Sequence, residues 1–270
     1  MILNKKGNLE YYTFESLDNI DFIGHCFTTR RGGVSGDYLS SLNLGFSRGD
    51  RPENVNKNFD IICSALDIKK EQCVTLKQIH STKIVKADRK LAGMGFADKP
   101  DRQEADGFVT NEKGVVLVTF HADCVPLYFV DIKNRAIGMA HAGWRGTAGA
   151  MAEKMLERMK LEYGTNPADV KAGIGPSIGV CCFQVDELVK DIFNESFDFA
   201  ENNIYDDKSE KGKYKIDLWG INRELLIRCG VRPENIETGN LCTKCNHDIF
   251  YSHRFMGEKR GTMAAFLFLK

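Results

Sequence analysis

Three residues with ligand or nucleophile chemistry stand out: His80 in "KQIHST", Cys124 in "HADCVP" and His141 in "MAHAGWRG". Cys124 leads the apolar run "VPLYFVD", and His141 closes the next run, "AIGMAHAG", with the turn "IKNR" between them. In an antiparallel hairpin those two ends lie side by side, so thiol and imidazole can meet. One cysteine and two histidines leave a tetrahedral Zn²⁺ a fourth position for water, as in catalytic rather than closed structural sites. Such a metal lowers the pKa of its bound water to about 7. The same atoms support other readings. One is a Cys124–His141 nucleophilic dyad, with Asp123 or His121 orienting the base. Another is a blue-copper site, given a weak axial ligand. The structural alternative is a core thiol beside two satisfied histidines. A trinuclear copper cluster is disfavoured, because the chain holds only six histidines and no His-X-His pair.

Other strings have weaker chemistry. In "HAGWRGTAG", small residues lead from a strand end into a helix start, where backbone N–H groups can receive an anion. Arg145 would add charge-assisted hydrogen bonds to that anion, against the plain reading of a tight turn with a surface arginine. Trp144 could stack on a substrate ring, but a buried tryptophan is the simpler expectation. "CTKCNH" (242–247) contains a Cys-X-X-Cys pair, and the nearest other cysteines, "CC" at 181–182, have the wrong spacing for a zinc ribbon. A weak second metal site or a redox pair is one reading of this string, and reduced, partly buried thiols are the simpler expectation. "GIGPSIG" is not a dinucleotide fingerprint, since its third glycine is misplaced and no helix opens there.

The elements that must position these residues are legible in part. "GVVLVTF", "VPLYFVD" and "AIGMAHAG" read as strands with few exposed positions, which implies a sheet covered by other layers. "QCVTLKQIHS" and "KIVKA" read as strands around His80. "GDRPENVNKNFDIICSALDI" reads as a helix, with Asp50 and Glu53 at capping-box spacing and Val55, Phe59, Ile62 and Leu66 on one face. After Gly146 a single helix is expected up to Gly164, and others start near Asp186 and at Asp217. "VKAGIG" and "MAAFLFL" read as further strands. "TTRRGGVSGDYLSSLNLG" reads as an ordered loop, and "YDDKSEKGKY" (205–214) as the only plausible linker. Strands and helices mix without a strict βαβ rhythm, which predicts an α+β fold or a mixed sheet with helices outside.

Composition narrows the function classes. At 270 residues the chain should bury about three quarters of its unfolded surface. With 43% apolar and 27% charged residues it has the balance of an ordinary globular protein. Lys plus Arg equals Asp plus Glu at 37 each, so no global field favours nucleic acid or anionic membrane. No apolar stretch suits a signal peptide, and nine cysteines without an even framework point to a reducing, cytoplasmic compartment.

Taken together, "TTRRGGVSG", "SLNLG", "KQIHS", "EADGFVT", "ADCVPL", "AHAGWRGT", "GPSIG", "CCFQV", "DLWGINRELL" and "CT…FYSHR…GTMAAF" resemble the laccase-domain family nearly end to end. That family was once named multicopper polyphenol oxidoreductases and is now described as purine nucleoside phosphorylases of a zinc-using kind. The resemblance implies a layered α/β/β/α fold with mixed sheets, in one catalytic domain spanning 1–270. It implies that His80, Cys124 and His141 hold the metal, zinc or alternatively copper. It implies phosphorolysis of adenosine, inosine, guanosine or methylthioadenosine, together with deamination of adenosine. Purine nucleosides and phosphate are then the partners, with no nucleic acid or membrane. On that reading Asp123 is the proton shuttle, Arg145 seats phosphate, and Arg30 and Asn43 belong to the substrate wall. Two departures are visible. His121 stands where many relatives have threonine, which suggests packing or a supporting role near the metal. "RGT" (260–262) stands where relatives show "GR", leaving Lys259 or Arg260 to substitute. Copper polyphenol oxidation, a cysteine hydrolase acting on cell-wall precursors, and pure binding are the competing readings.

Overall fold

Alternation along the apolar strands decides the architecture, and every one of these runs turns out to face two cores. The computed structural model describes residues 1–96 and 101–270. In chain order the first strands are β1 (Ile2–Lys6), β2 (Leu9–Thr13), β3 (Ile23–Thr28), β4 (Cys73–Thr75), β5 (Ile84–Lys86), β6 (Gly107–Thr110), β7 (Val116–His121) and β8 (Val125–Asp131). They are followed by β9 (Ala136–Ala142), β10 (Val170–Ile174), β11 (Gln184–Val185), β12 (Ile204–Asp206), β13 (Tyr214–Ile216), β14 (Ile236–Thr238) and β15 (Met263–Leu269). The helices are α1 (Glu15–Asp18), α2 (Pro52–Leu66), α3 (Trp144–Ala148), α4 (Met151–Tyr163), α5 (Glu187–Ser196), α6 (Leu218–Arg228) and α7 (His253–Met256).

Two six-stranded mixed sheets carry the fold, ordered β1-β2-β3-β15-β7-β4 and β14-β10-β8-β9-β6-β5. On β7, Leu117 points into the space between the sheets while Val116 and Val118 point the other way, onto α2. β15 repeats the pattern, with Met263, Ala265 and Leu267 inside and Ala264, Phe266 and Phe268 against the α2 side. On β8, Tyr128 and Val130 face the first sheet, whereas Val125, Leu127 and Phe129 face α4 and α6. The order is therefore helix, sheet, sheet, helix, and both faces of the central strands are dry. That explains why the runs are apolar throughout instead of alternating with polar residues. It is the layered α/β/β/α arrangement with mixed sheets that the resemblance implied. No helix of the described residues is long and apolar enough to cross a membrane.

Several local expectations need correction. α2 begins at Pro52 with Arg51 at its N-cap, not in an Asp50–Glu53 capping box. Pro52 presets the first helical turn, and the Asp50 carboxylate instead accepts hydrogen bonds from Ser35, Asn43 and Asn54. The helix expected after Gly146 is two helices, α3 and α4, broken at Ala150 with φ +58°. Segment 205–214 is no linker: β12 and β13 pair across it as a hairpin, with Asp206 opposite Tyr214.

A buried imidazole far from the candidate site gives the fold a measurable pH response. His25, 5% exposed, lies against Phe14 and Tyr128, and its Nε2 accepts the Phe14 N–H at 2.8 Å. Burial outweighs the pull of Asp18 and Glu237 and lowers its pKa to about 4. The unfolded chain, with an ordinary histidine near about 6.5, binds the extra proton first. The stability present above that pH is therefore lost as pH falls toward 4, by roughly 2 kcal/mol at pH 5 relative to pH 8. Urea midpoints at the two pH values check this. His25→Gln, which keeps an acceptor, should flatten the difference, and an equal drop in the variant would refute the assignment.

Candidate active site

The chain crosses between the two sheets at residues 122–124, because β7 belongs to one sheet and β8 to the other. Asp123 turns this corner with φ +88°, a left-handed conformation that aspartate tolerates better than most residues. Cys124 follows directly and enters the β8–β9 hairpin, in which Pro126 pairs with His141 and Val125 with Ala142. The side-by-side placement expected of Cys124 and His141 is present. His80 arrives from the loop between β4 and β5, itself at φ +59°, and its ring meets the His141 ring edge-on at 4.9 Å. One donor atom from each of His80, Cys124 and His141 lies within 4.8 Å of the others.

A single carboxylate organises this cluster. Asp106, fully buried at the foot of β6, accepts hydrogen bonds from the N–H groups of Ile79 (3.3 Å), His80 (3.0 Å) and Ser81 (2.7 Å) and from the Ser81 hydroxyl (2.8 Å). Its other contact is His141 Nδ1 at 3.0 Å, which leaves Nε2 to face the thiol. Gln78 braces the same loop by exchanging two hydrogen bonds with the Phe120 backbone, at 2.7 and 2.8 Å. Gly143 closes the other side. A Cβ there would stand 3.1 Å from Cys124 Sγ and 3.3 Å from His80 Cδ2, so a side chain would press on two of the three donors.

Electrostatics follow from these contacts. Burial disfavours ionised Asp106, yet the hydrogen bonds from His141 and Ser81 prevail and hold it at about 2. Burial likewise opposes a charged Cys124, but the His141 and His80 imidazoles bring the thiol down to about 6. His141 resists its own burial because Cys124 and Asp106 surround it, and it rises to about 9. The donor set is thus one incipient thiolate with two oriented imidazoles, which fits a divalent metal with one side open.

That side opens on a cavity of about 240 Å³, a little below the usual range for small-molecule sites. His80, Cys124, His141 and His121 line it, together with Phe46 and Phe120. Four cations line it, Arg48, Lys77, Arg102 and Arg260, and no carboxylate does among the described residues. Arg102 sits over both phenyl rings, 5.8 Å from Phe46 and 5.7 Å from Phe120. Arg260 is 8% exposed, and its buried Nε has no hydrogen-bond partner. A larger hollow of about 1010 Å³ beside α2 contains neither histidine nor cysteine and offers no comparable chemistry.

Asp123, Arg145, Arg30 and Asn43 lie outside this cavity. The Asp123 carboxylate turns away and accepts from the Thr243 hydroxyl and the Arg254 N–H, both at 2.6 Å, which suits a brace rather than a proton shuttle. Arg145 is exposed and lies on the Trp144 ring at 4.2 Å, so the strand-to-helix turn offers no side-chain seat for phosphate inside the cavity. Arg30 is spent on the carbonyls of Ser40 and His247 and stacks on Tyr251. Asn43 is buried and ties Gly45 to Thr262, two residues of the cavity wall, without reaching the cavity itself. His121 has both ring nitrogens occupied, by the Cys124 carbonyl (3.0 Å) and the Thr119 hydroxyl (2.8 Å), and burial keeps it neutral. It packs beside the donors and is not one of them. Nothing in the types or spacing of Asp106, Gln78, Arg48, Lys77 and Arg102 marks them as site residues in the sequence, and Arg260 stands out only as a departure. The "EADGFVT" block was the available signal for Asp106.

Purine nucleoside phosphorylase YlmD of Bacillus subtilis strain 168 is 36% identical over 248 residues, covering 90% of this chain and 87% of that protein. Adenosine deaminase RL5, from an unknown prokaryotic organism, is 32% identical over 256 residues, covering 91% and 95%. The crystal structure of the Bacillus licheniformis hypothetical protein YfiH superposes with a TM-score of 0.90 at 33% identity, covering 99% of each chain. Residues 24–270 match the family described as multi-copper polyphenol oxidoreductase laccase, and the chain belongs to that family.

Proposed function

We propose that residues 1–270 act as one catalytic domain, a purine nucleoside phosphorylase that also deaminates adenosine and uses zinc at His80, Cys124 and His141. The observation that carries this reading is the convergence of a two-imidazole, one-thiol donor set on a small cavity lined by four cations and two phenyl rings. Relatives named purine nucleoside phosphorylase and adenosine deaminase support it. His80, Cys124 and His141 would hold the zinc ion, which would supply Lewis-acid activation of water near neutral pH. Asp106 fixes the His141 tautomer and the His80 loop, so both imidazoles present themselves without reorganisation. Phe46 and Phe120 provide an apolar wall for a purine, and Arg48 and Arg260 receive phosphate. In phosphorolysis a phosphate oxygen forms the new bond to ribose C1′ while the C1′–N9 bond breaks toward the base. In deamination water adds at C6 and ammonia leaves. Adenosine, inosine, guanosine and methylthioadenosine are the proposed nucleosides. Nine unpaired cysteines support a reducing cytoplasmic location.

Copper oxidation is less well supported. Beyond the two histidines of the donor set, His25 accepts the Phe14 N–H, His121 is doubly bonded, His247 stacks on Phe255 at 3.6 Å and His253 bonds the Gly257 carbonyl. Of these four only His121 lines the cavity, and both of its ring nitrogens are taken, so no imidazole is left there for a trinuclear cluster. A Cys124–His141 thiolate–imidazolium dyad is the second reading, favoured by the same contact.

Chromatography of adenosine incubated with protein of known metal content tests both. The expected result is adenine only when phosphate is present, inosine with or without it, and loss of both on chelation with recovery on adding zinc. Turnover that survives metal removal in folded protein would transfer the chemistry to the dyad. No turnover by zinc-loaded, folded protein would refute the purine reading.

A further inference from the structure

A second cluster lies in the segments that hold the Asp123 carboxylate. Cys181 and Cys182 occupy a tight turn after the glycine-rich loop, where the N–H groups of Cys182 and Phe183 both bond the Gly179 carbonyl at 2.9 Å. Cys242 and Cys245 occupy another turn, closed by the Asn246 N–H on the Cys242 carbonyl at 3.0 Å. A short parallel bridge between Ser177 and Cys242 joins the two turns. The Cys245 sulfur lies 3.5 Å from that of Cys181 and 3.4 Å from that of Cys182. All four sulfurs fall within 4.8 Å of one another.

We propose that Cys181, Cys182, Cys242 and Cys245 hold a structural zinc ion as a closed tetrathiolate. Three observations carry it. A tetrahedron with Zn–S bonds of about 2.3 Å has edges near about 3.8 Å, and the sulfurs already stand close to that spacing. A disulfide needs about 2.05 Å, and no pair here approaches it. A polynuclear iron–sulfur cluster would hold its cysteine sulfurs further apart than this group allows. Second, the Cys242 sulfur accepts the Gly179 N–H at 3.3 Å and also the Cys245 N–H, donors that favour a thiolate bound to metal. Third, Arg254 lies alongside, its guanidinium on the carbonyls of Cys182 (3.3 Å) and Gln184 (2.9 Å), where it offsets the net negative charge of such a centre.

Binding Zn²⁺ replaces thiol protons, up to four of which pass to solvent, and no oxidant or reductant is required. With no open position, the ion has no catalytic part. Its work is mechanical. Thr243, between the two ligands of one turn, donates to the Asp123 carboxylate, as does the Arg254 backbone, and Ile178 beside the other turn donates to the Asp123 carbonyl (2.8 Å). The zinc therefore clamps the segments that hold the residue preceding Cys124. The inference rests on the four thiols alone and stands whatever the cavity turns over.

The test uses the full chain carrying Cys124→Ser, so that no sulfur remains at the other donor set. We expect about one zinc per chain in metal analysis. After exchange with cobalt(II), sulfur-to-metal charge transfer and intense red d–d bands of a tetrahedral thiolate site should appear. Adding Cys245→Ser or Cys182→Ser should abolish the spectrum and the bound metal. If those additions prevent folding, a mercurial titration decides, with four thiols consumed per metal released. If Cys124→Ser itself does not fold, the same titration of a His80→Ala, His141→Ala chain replaces it. Folded protein with four titratable thiols and no cobalt spectrum would overturn the proposal, as would a disulfide between any two of these cysteines.

Discussion

With alanine in place of Asp106, the purified chain is expected to bind metal at His80, Cys124 and His141 about 10–100-fold more weakly and to lose activity in proportion. The carboxylate serves three N–H groups of the His80 loop, the Ser81 hydroxyl and His141 Nδ1 at once. Alanine leaves those part-buried donors and the buried His141 Nδ1 unpaired, and frees His80 to leave the left-handed conformation it occupies. Breaking a buried charged network from one side costs about 3–5 kcal/mol, so stability falls together with affinity. Asparagine keeps the shape but turns an amide toward donors, and should retain the fold better than the function. Competition against a chromophoric chelator, beside urea midpoints, separates the two effects. An Asp106→Ala chain with unchanged metal affinity would show that the donors are positioned by something else.

The second large effect concerns Arg260. Replacing it with methionine keeps the apolar stem and removes a buried guanidinium whose Nε has no partner in the protein. If that group receives phosphate, its loss removes charge-assisted hydrogen bonds worth about 1.5–3 kcal/mol. The KM for phosphate should then rise about 10–100-fold. Deamination takes no phosphate, so the ratio of phosphorolysis to deamination should fall with it. Arg145→Met, on the outer surface against Trp144, should leave that ratio where it is. A reversed pattern would move the phosphate seat back to the strand-to-helix turn.

How much of this was legible depended on distance along the chain. The β8–β9 hairpin could be read because its two apolar runs and turn are contiguous, and the meeting of Cys124 with His141 followed from that geometry alone. β15 could be read as buried because "MAAFLFL" is apolar on both of its faces, which only a strand between two cores requires. Asp106 was hidden. An acid leading a strand usually faces solvent, and nothing local announces that its carboxylate meets a loop twenty-five residues upstream. The cavity cations are separated by more than two hundred residues at the extreme, Arg48 from Arg260, and only the sheet order brings those two to one wall. Arg145 misled for the opposite reason. Its neighbours make a plausible local anion site, but the helix direction turns its side chain outward. The four-cysteine group shows the limit of spacing rules, since a vicinal pair is not the pattern such rules expect.

The crossing at residues 122–124 also has a consequence for assembly. Cys124 belongs to the hairpin of one sheet, yet the strand leading to it belongs to the other, so the two hydrophobic layers are tethered directly beside the donor set. His80 reaches it from a loop that leaves one sheet at β4 and enters the other at β5. Cys124 and His141 meet within one hairpin, and Asp106 ties the His80 loop to the same sheet, so the donor set forms with the second sheet. The other layer reaches it through β7 and the Gln78–Phe120 hydrogen bonds, long-range contacts that form late on the folding path. Amides around Cys124 should therefore share the exchange class of the β8–β9 hairpin.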